Sequence, residues 1–148
     1  LIEERVKIFK VFGNKKNIEI RINSSIIAEF LFDSDRITQV IDNLLSNAVK
    51  FSPYGKEIIV TLEKNDNFAK ISVKDQGPGI DEEEQAKLYN PFQKLSAKAT
   101  GGETSTGLGL TIAKKLVDGH NGKIDILSEK NIGTTFSFSI PLEVKIER

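Results

Sequence analysis

The chain has no cysteine, no methionine, no tryptophan and a single histidine among its 148 residues. Each absence removes a class of chemistry. Without Cys there are no disulfides, thiolate metal sites or cysteine nucleophiles. One His rules out a multi-histidine metal centre. A serine-hydrolase triad would have to recruit His120, and no G-x-S-x-G turn presents a serine to it. No P-loop pattern occurs. No apolar run approaches the length of a bilayer span, and nothing resembles a signal peptide. Neither sign of charge is in excess, since 21 Lys and Arg balance 21 Asp and Glu. No broad basic surface therefore recommends a nucleic-acid partner. The lack of Met, with Leu1 first, leads us to expect a piece of a longer protein that extends at least N-terminally.

At 39% hydrophobic residues the chain can fill one two-layer core. Residues 1–12 mix charged and apolar positions with a helical spacing and read as a helix arriving from an upstream domain. Residues 17–23 alternate through Ile18, Ile20 and Ile22 and read as a strand, and 29–32 as a second short extended piece. Asp33 or Ser34 can cap the next helix. That helix is expected to run to about Phe51, before Pro53 and the turn at Gly55. Residues 57–64 and 69–75 read as a hairpin joined through 65–67. A Gly/Pro loop follows at 76–80, then a short helix capped by Asp81 and reaching about Tyr89. Residues 90–106 hold few apolar side chains, and a loop of that length inside a compact domain is usually functional or mobile. A second strong helix is expected over 108–118, with Ile112, Ala113, Leu116 and Val117 inward. Strands at 123–128 and 134–141 close the chain, the latter with Phe136, Phe138 and Ile140 on one buried face. The order of elements suggests an α/β two-layer sandwich with a mixed, mostly antiparallel sheet and helices on one face.

Four stretches carry candidate chemistry. In the first strong helix, Ile37, Val40, Ile41, Leu44, Leu45, Ala48 and Val49 form one apolar face. At about 100° per residue, Gln39, Asn43, Asn47 and Lys50 fall together along its flank. Amide oxygens suit a hard cation and an ammonium suits phosphate, although an ordinary amphipathic helix would look the same. Asp75-Gln76-Gly77-Pro78-Gly79-Ile80 follows a strand. Its glycines let backbone approach a flat ligand, and its carboxylate can accept from an exocyclic amine; the same turn also serves simply to reverse a strand. Pro91-Phe92-Gln93-Lys94 opens the long loop, where Phe92 reads equally as a core anchor and Lys94 as a solvated charge. Ser105-Thr106-Gly107-Leu108-Gly109-Leu110 opens the second strong helix. Free N–H groups at a helix start make an anion site, and a loop needing glycine flexibility would use the same residues. Gly101 and Gly102 fit a hinged lid as well as a plain loop. His120, after that helix, reads as structural or surface.

Taken in this order, the four stretches resemble the catalytic, ATP-binding domain of bacterial sensor histidine kinases, within the gyrase-type ATPases of the Bergerat fold. The N box is matched from Asp35-Arg36 through Asn43 to Ser52, the first glycine box by 75–80, the F box by 91–94 and the second glycine box by 106–110. Residues 120–124 and 133–138 fit the family's closing pattern. The resemblance covers nearly the whole chain and is least specific over the first dozen residues. It divides the chain into 1–12, the end of a helix from a dimerisation domain, and 13–148, the catalytic domain.

The resemblance implies ATP and Mg²⁺ as cofactors. Asn47 matches the family's Mg²⁺ ligand, Asn43 its phosphate-facing neighbour and Lys50 the phosphate-contacting lysine. Asp75 matches the reader of the adenine amino group, with Thr134 supporting a water-mediated contact to the same edge. Gly77 and Gly79 shape the base pocket, with Ile80 as its apolar wall. Thr106, Gly107, Leu108, Gly109 and Leu110 match the phosphate-binding helix start. Lys94 stands where the family often has Arg and lacks that residue's planar fork. Where hydrolysing members carry a Glu, this chain has Asn43, and an amide is no general base near neutral pH. The family's acceptor histidine sits in a His-Glu/Asp setting that His120 does not match. The implied partners are a histidine-bearing dimerisation domain, in a homodimeric parent, and a response regulator, with the domain on the cytoplasmic side. A serine kinase of the anti-sigma-factor type and a non-catalytic regulatory module share the fold and remain as other readings.

Overall fold

A computed structural model describes residues 1–24, 33–64, 67–86 and 109–142. Within them lie helices α1 (Ile2–Asn14), α2 (Ser34–Phe51), α3 (Glu82–Gln85) and α4 (Gly109–Gly119). The strands are β1 (Glu19–Ser24), β2 (Glu57–Lys64), β3 (Phe68–Lys74), β4 (Lys123–Glu129) and β5 (Gly133–Pro141). The expected strand at 29–32, the far end of the short helix and the long loop 90–106 lie outside the described residues.

The strands form one sheet in the order β1-β2-β3-β5-β4. Only β1 and β2 run parallel, and α2 supplies the crossover that a parallel pair requires. The register explains the core. Ile22, Val60, Val73, Phe136 and Ile126 stand opposite one another across all five strands, and Leu62, Ile71, Phe138 and Ile124 form the next row. Strand alternation sends these side chains to one face, where the helices cover the central ones and leave Ile22, on the edge strand β1, exposed. The sandwich is therefore the expected one, mixed and mostly antiparallel.

Helix α2 is the centre of the helical layer. Its seven inward apolar residues, Ile37 through Val49, are all buried. Asp33 caps it by accepting from the Arg36 N–H at 3.1 Å. Helix α1 packs beside it, with Val6 fully inside the core. Arg5 grips Asp42 of α2 through Nε at 2.8 Å and a second guanidinium nitrogen at 2.6 Å. Helix α1 is thus anchored to the core through Val6, while most of its surface stays exposed.

Helix α4 packs on the other side of α2. Leu110, Ala113 and Val117 form its buried stripe. Ile112, expected inward, is 42% exposed. At about 100° per residue it lies some 160° from Leu110, so the stripe that Leu110 and Val117 set leaves Ile112 on the opposite face. Leu116 sits half-buried at the stripe's edge.

Candidate functional site

The site is built at the point where β3 ends. Asp75 is 5% exposed. Its N–H donates to Thr134 O at 2.9 Å, and its Oδ1 accepts from Gly77 N at 2.9 Å and Thr134 N at 3.2 Å. The carboxylate is thus fixed by both the turn that follows it and the neighbouring strand β5. Oδ2 takes part in no hydrogen bond among the described residues. Burial pushes the Asp75 carboxyl up to about 6, against the opposing pull of the two backbone donors.

The turn 76–80 is shaped by contacts that exclude side chains. A Cβ on Gly77 would lie 2.9 Å from Phe51 O, so the turn abuts the end of α2. Gly79 adopts φ +76°, and a Cβ there would meet Glu129 O at 2.2 Å, which makes glycine a double requirement. The turn is held from outside as well. Pro78 O accepts from Asn131 N at 2.6 Å, Ile80 N donates to Ser128 Oγ at 2.8 Å, and Gln85 Nε2 of α3 donates to Ile80 O at 2.8 Å.

Ser128 organises this edge. It donates to Gly133 O at 3.2 Å and lies 2.7 Å from Thr134 Oγ1. The assignment that satisfies every group has Thr134 donating its hydroxyl hydrogen to Ser128. Thr134 then faces the cleft as an acceptor, which suits a bridging water.

Asn47, Phe51, Asp75, Pro78, Gly79, Ile80, Thr134 and Phe136 line one cleft. Its volume is about 20 Å³, less than a purine ring needs. A larger cavity of about 420 Å³ opens between α1 and the end of α2, lined by aromatic and lysine residues. Its described lining offers no counterpart to the buried carboxylate of Asp75.

The structure therefore brings Asn47, Asp75, Gly79, Ile80 and Thr134 together, with Gly77 bonded to the carboxylate. Asn43 is half-buried on α2 beside the start of α4, where a Cβ on Gly109 would lie 3.2 Å from Asn43 Oδ1. Leu110, at the same helix start, is buried in the core. Lys50 is half-buried and borders the α1–α2 cavity rather than the Asp75 cleft. Lys94, Thr106, Gly107 and Leu108 lie outside the described residues. Sequence reasoning missed Ser128, Phe51 and Phe136 as parts of the site. His120 is structural: its Nδ1 lies 2.9 Å from Leu116 O, and its Nε2 accepts from Asp33 N at 3.4 Å, tying the end of α4 to the start of α2.

Residues 32–144 match the family described as histidine kinase-, DNA gyrase B- and HSP90-like ATPases. The sensor protein SrrB of Staphylococcus aureus is 39% identical over 110 residues, 74% of this chain; those residues span only 19% of SrrB. The catalytic domain of the histidine kinase ThkA superposes with a TM-score of 0.83 at 32% identity, over 95% of this chain and 91% of that one. Full-length ShkA, solved in complex with AMPPNP, gives 0.84 at 26% identity, over 99% of this chain and 30% of its own. The chain belongs to the histidine kinase-, DNA gyrase B- and HSP90-like ATPase family, and its fold is that of sensor histidine kinase catalytic domains.

Proposed function

We propose that this chain is the ATP-binding catalytic domain of a two-component sensor histidine kinase. In this reading it holds Mg-ATP and presents the γ-phosphoryl group to a histidine on a separate dimerisation domain, for onward transfer to a response regulator. The parent is a homodimer with this domain on the cytoplasmic side. Among the described residues no helix is long and apolar enough to cross a membrane.

The observation that carries the reading is Asp75: a buried carboxylate with one oxygen held by two backbone donors and the other without a hydrogen-bond partner among the described residues, in a cleft that Asn47 shares. An acceptor held that way matches an exocyclic amine and no anion. The AMPPNP bound to ShkA is an adenine nucleotide and supports the same choice for this chain.

Ile80, Gly79 and Phe136 would wall the adenine, Asp75 would accept from its amino group and Thr134 would hold a bridging water. Asn47 and Asn43, along α2, and the start of α4 would hold the phosphates. By the family resemblance Lys50, Lys94 and Thr106 to Leu108 would serve the phosphates as well. No cluster of three acidic or histidine side chains occurs among the described residues, and the amide oxygen of Asn47 would help to hold Mg²⁺. When bound it neutralises phosphate charge, which is the main requirement of phosphoryl transfer. The residues of the chain orient and do not attack: Asn43 places an amide where a general base would be needed for hydrolysis. Transfer to another group is therefore favoured over loss to water.

Calorimetric titration with a non-hydrolysable ATP analogue, with and without Mg²⁺, tests the assignment. We expect saturable binding that strengthens with Mg²⁺ and weakens in Asp75→Asn. Absence of binding under every condition would leave the regulatory-module reading in its place.

A further inference from the structure

Lys16 is 3% exposed, an unusual position for an ammonium. It stands in the turn between α1 and β1. Its Nζ donates to Val49 O at 2.7 Å and to Lys50 O at 3.1 Å. Those carbonyls belong to the last turn of α2, where a helix leaves its acceptors without partners. They also mark the negative end of the helix dipole, which favours a cation. The Lys16 carbonyl accepts from Gly55 N at 2.9 Å, and Nζ lies 5.9 Å from the centre of the Tyr54 ring. Main chain and side chain of one residue thus hold the stretch from Val49 to Gly55.

Resting on the nucleotide-site reading above, we propose that Lys16 is a positioning residue for the phosphate end of that site. Helix ends fray unless something ties them down, and Lys50 lies on the tied turn with Asn47 immediately before it. Lys16 reaches these residues only through the main chain of α2. It fixes where their side chains start, and hence where an amide oxygen and an ammonium meet the phosphates. Asp75 and Thr134 are held by each other across the sheet, and the base cleft meets the tied helix end only through its α2 wall, Asn47 and Phe51. The consequence is graded: loss of Lys16 weakens recognition of the metal–phosphate end more than recognition of the base.

The test uses the 148-residue chain with Lys16→Met, which keeps the stem and removes the ammonium, and Lys16→Gln, which keeps a neutral donor. Dissociation constants are measured for the β,γ-imido analogue of ATP with Mg²⁺ and, by chemical-shift titration, for adenosine. Temperatures are kept well below each variant's melting point. Affinity for the Mg²⁺–analogue complex should fall about tenfold in Lys16→Met, as for a lost charged hydrogen bond, with a clearly smaller fall for adenosine. The Gln variant should fall between Met and wild type, and it carries the comparison if Lys16→Met does not fold. Equal loss for both ligands, or none for either, would overturn the positioning role while leaving the nucleotide site intact. A wild-type chain that binds neither ligand would overturn the site reading and this inference with it.

Discussion

At the scale of single residues, Asp75 trades stability for recognition. Burial raises its carboxyl from 3.8 to about 6. Below pH 3.8 the group is neutral in the folded and unfolded chain and costs the fold nothing. As pH rises toward 6 the unfolded chain ionises first, so stability falls through that window and stays lower by about 3 kcal/mol at pH 7. In Asp75→Asn, Oδ1 can still accept from Gly77 and Thr134, and no charge is buried. The variant should therefore be more stable than wild type at pH 7, by up to about 3 kcal/mol, and equal to it near pH 4. Denaturant titrations at the two pH values read this directly, and a destabilised variant at pH 7 would sink the argument. The same substitution turns an NH₂ toward the exocyclic amine, so nucleotide affinity should fall on the order of 100-fold, as for a recognition group left unpaired. Gain of stability with loss of binding would mark the residue as kept for its ligand. In wild type, affinity should weaken as pH drops below about 6, because the protonated carboxyl accepts more weakly.

At the scale of elements, α1 shows where pattern reading stops. Its charged and apolar residues fit a helix, but nothing in that spacing says what the helix packs on. The structure places Val6 at 1% exposure in the core and pairs Arg5 with Asp42. Val6→Ala should cost roughly 2 kcal/mol, measured as a shift in the denaturation midpoint; a shift near zero would mean that α1 is loosely attached. By contrast α2 was legible to its ends, because its apolar face, its Asp33 cap and the Pro53 stop agree. In α4 the apolar residues outnumber the stripe, and period alone could not tell which would turn outward; Ile112 did. The site divides the same way. Asp75, Gly77 and Gly79 stand out because an acid and two glycines in one turn are distinctive. Ser128 does not, since a serine in a strand looks like any surface serine until its partners are known. Lys16 was hidden by its neighbours, for a lysine in a charged turn reads as solvated.

At the scale of the whole molecule, the chain holds a nucleotide site but no histidine in the setting of an acceptor. Its one imidazole, His120, has both ring nitrogens engaged, at Leu116 O and Asp33 N. Incubated alone with γ-labelled ATP and Mg²⁺, the chain should stay unlabelled. Adding a separate helical domain that carries a kinase-type histidine should produce acid-labile label on that domain alone. Asn47→Ala should abolish this transfer while its melting curve remains cooperative, because the amide is proposed to hold the metal and sits only half-buried on α2. His120→Gln should transfer normally, since an amide can replace both of its structural contacts. Label on the chain itself that disappears in His120→Gln would contradict the division of labour between catalytic and acceptor domains. Label on a serine of an antagonist protein, with none on the histidine domain, would turn the assignment to the serine-kinase branch of the same fold. The comparison separates the two readings because the labelled residue reports which group was placed opposite the γ-phosphate.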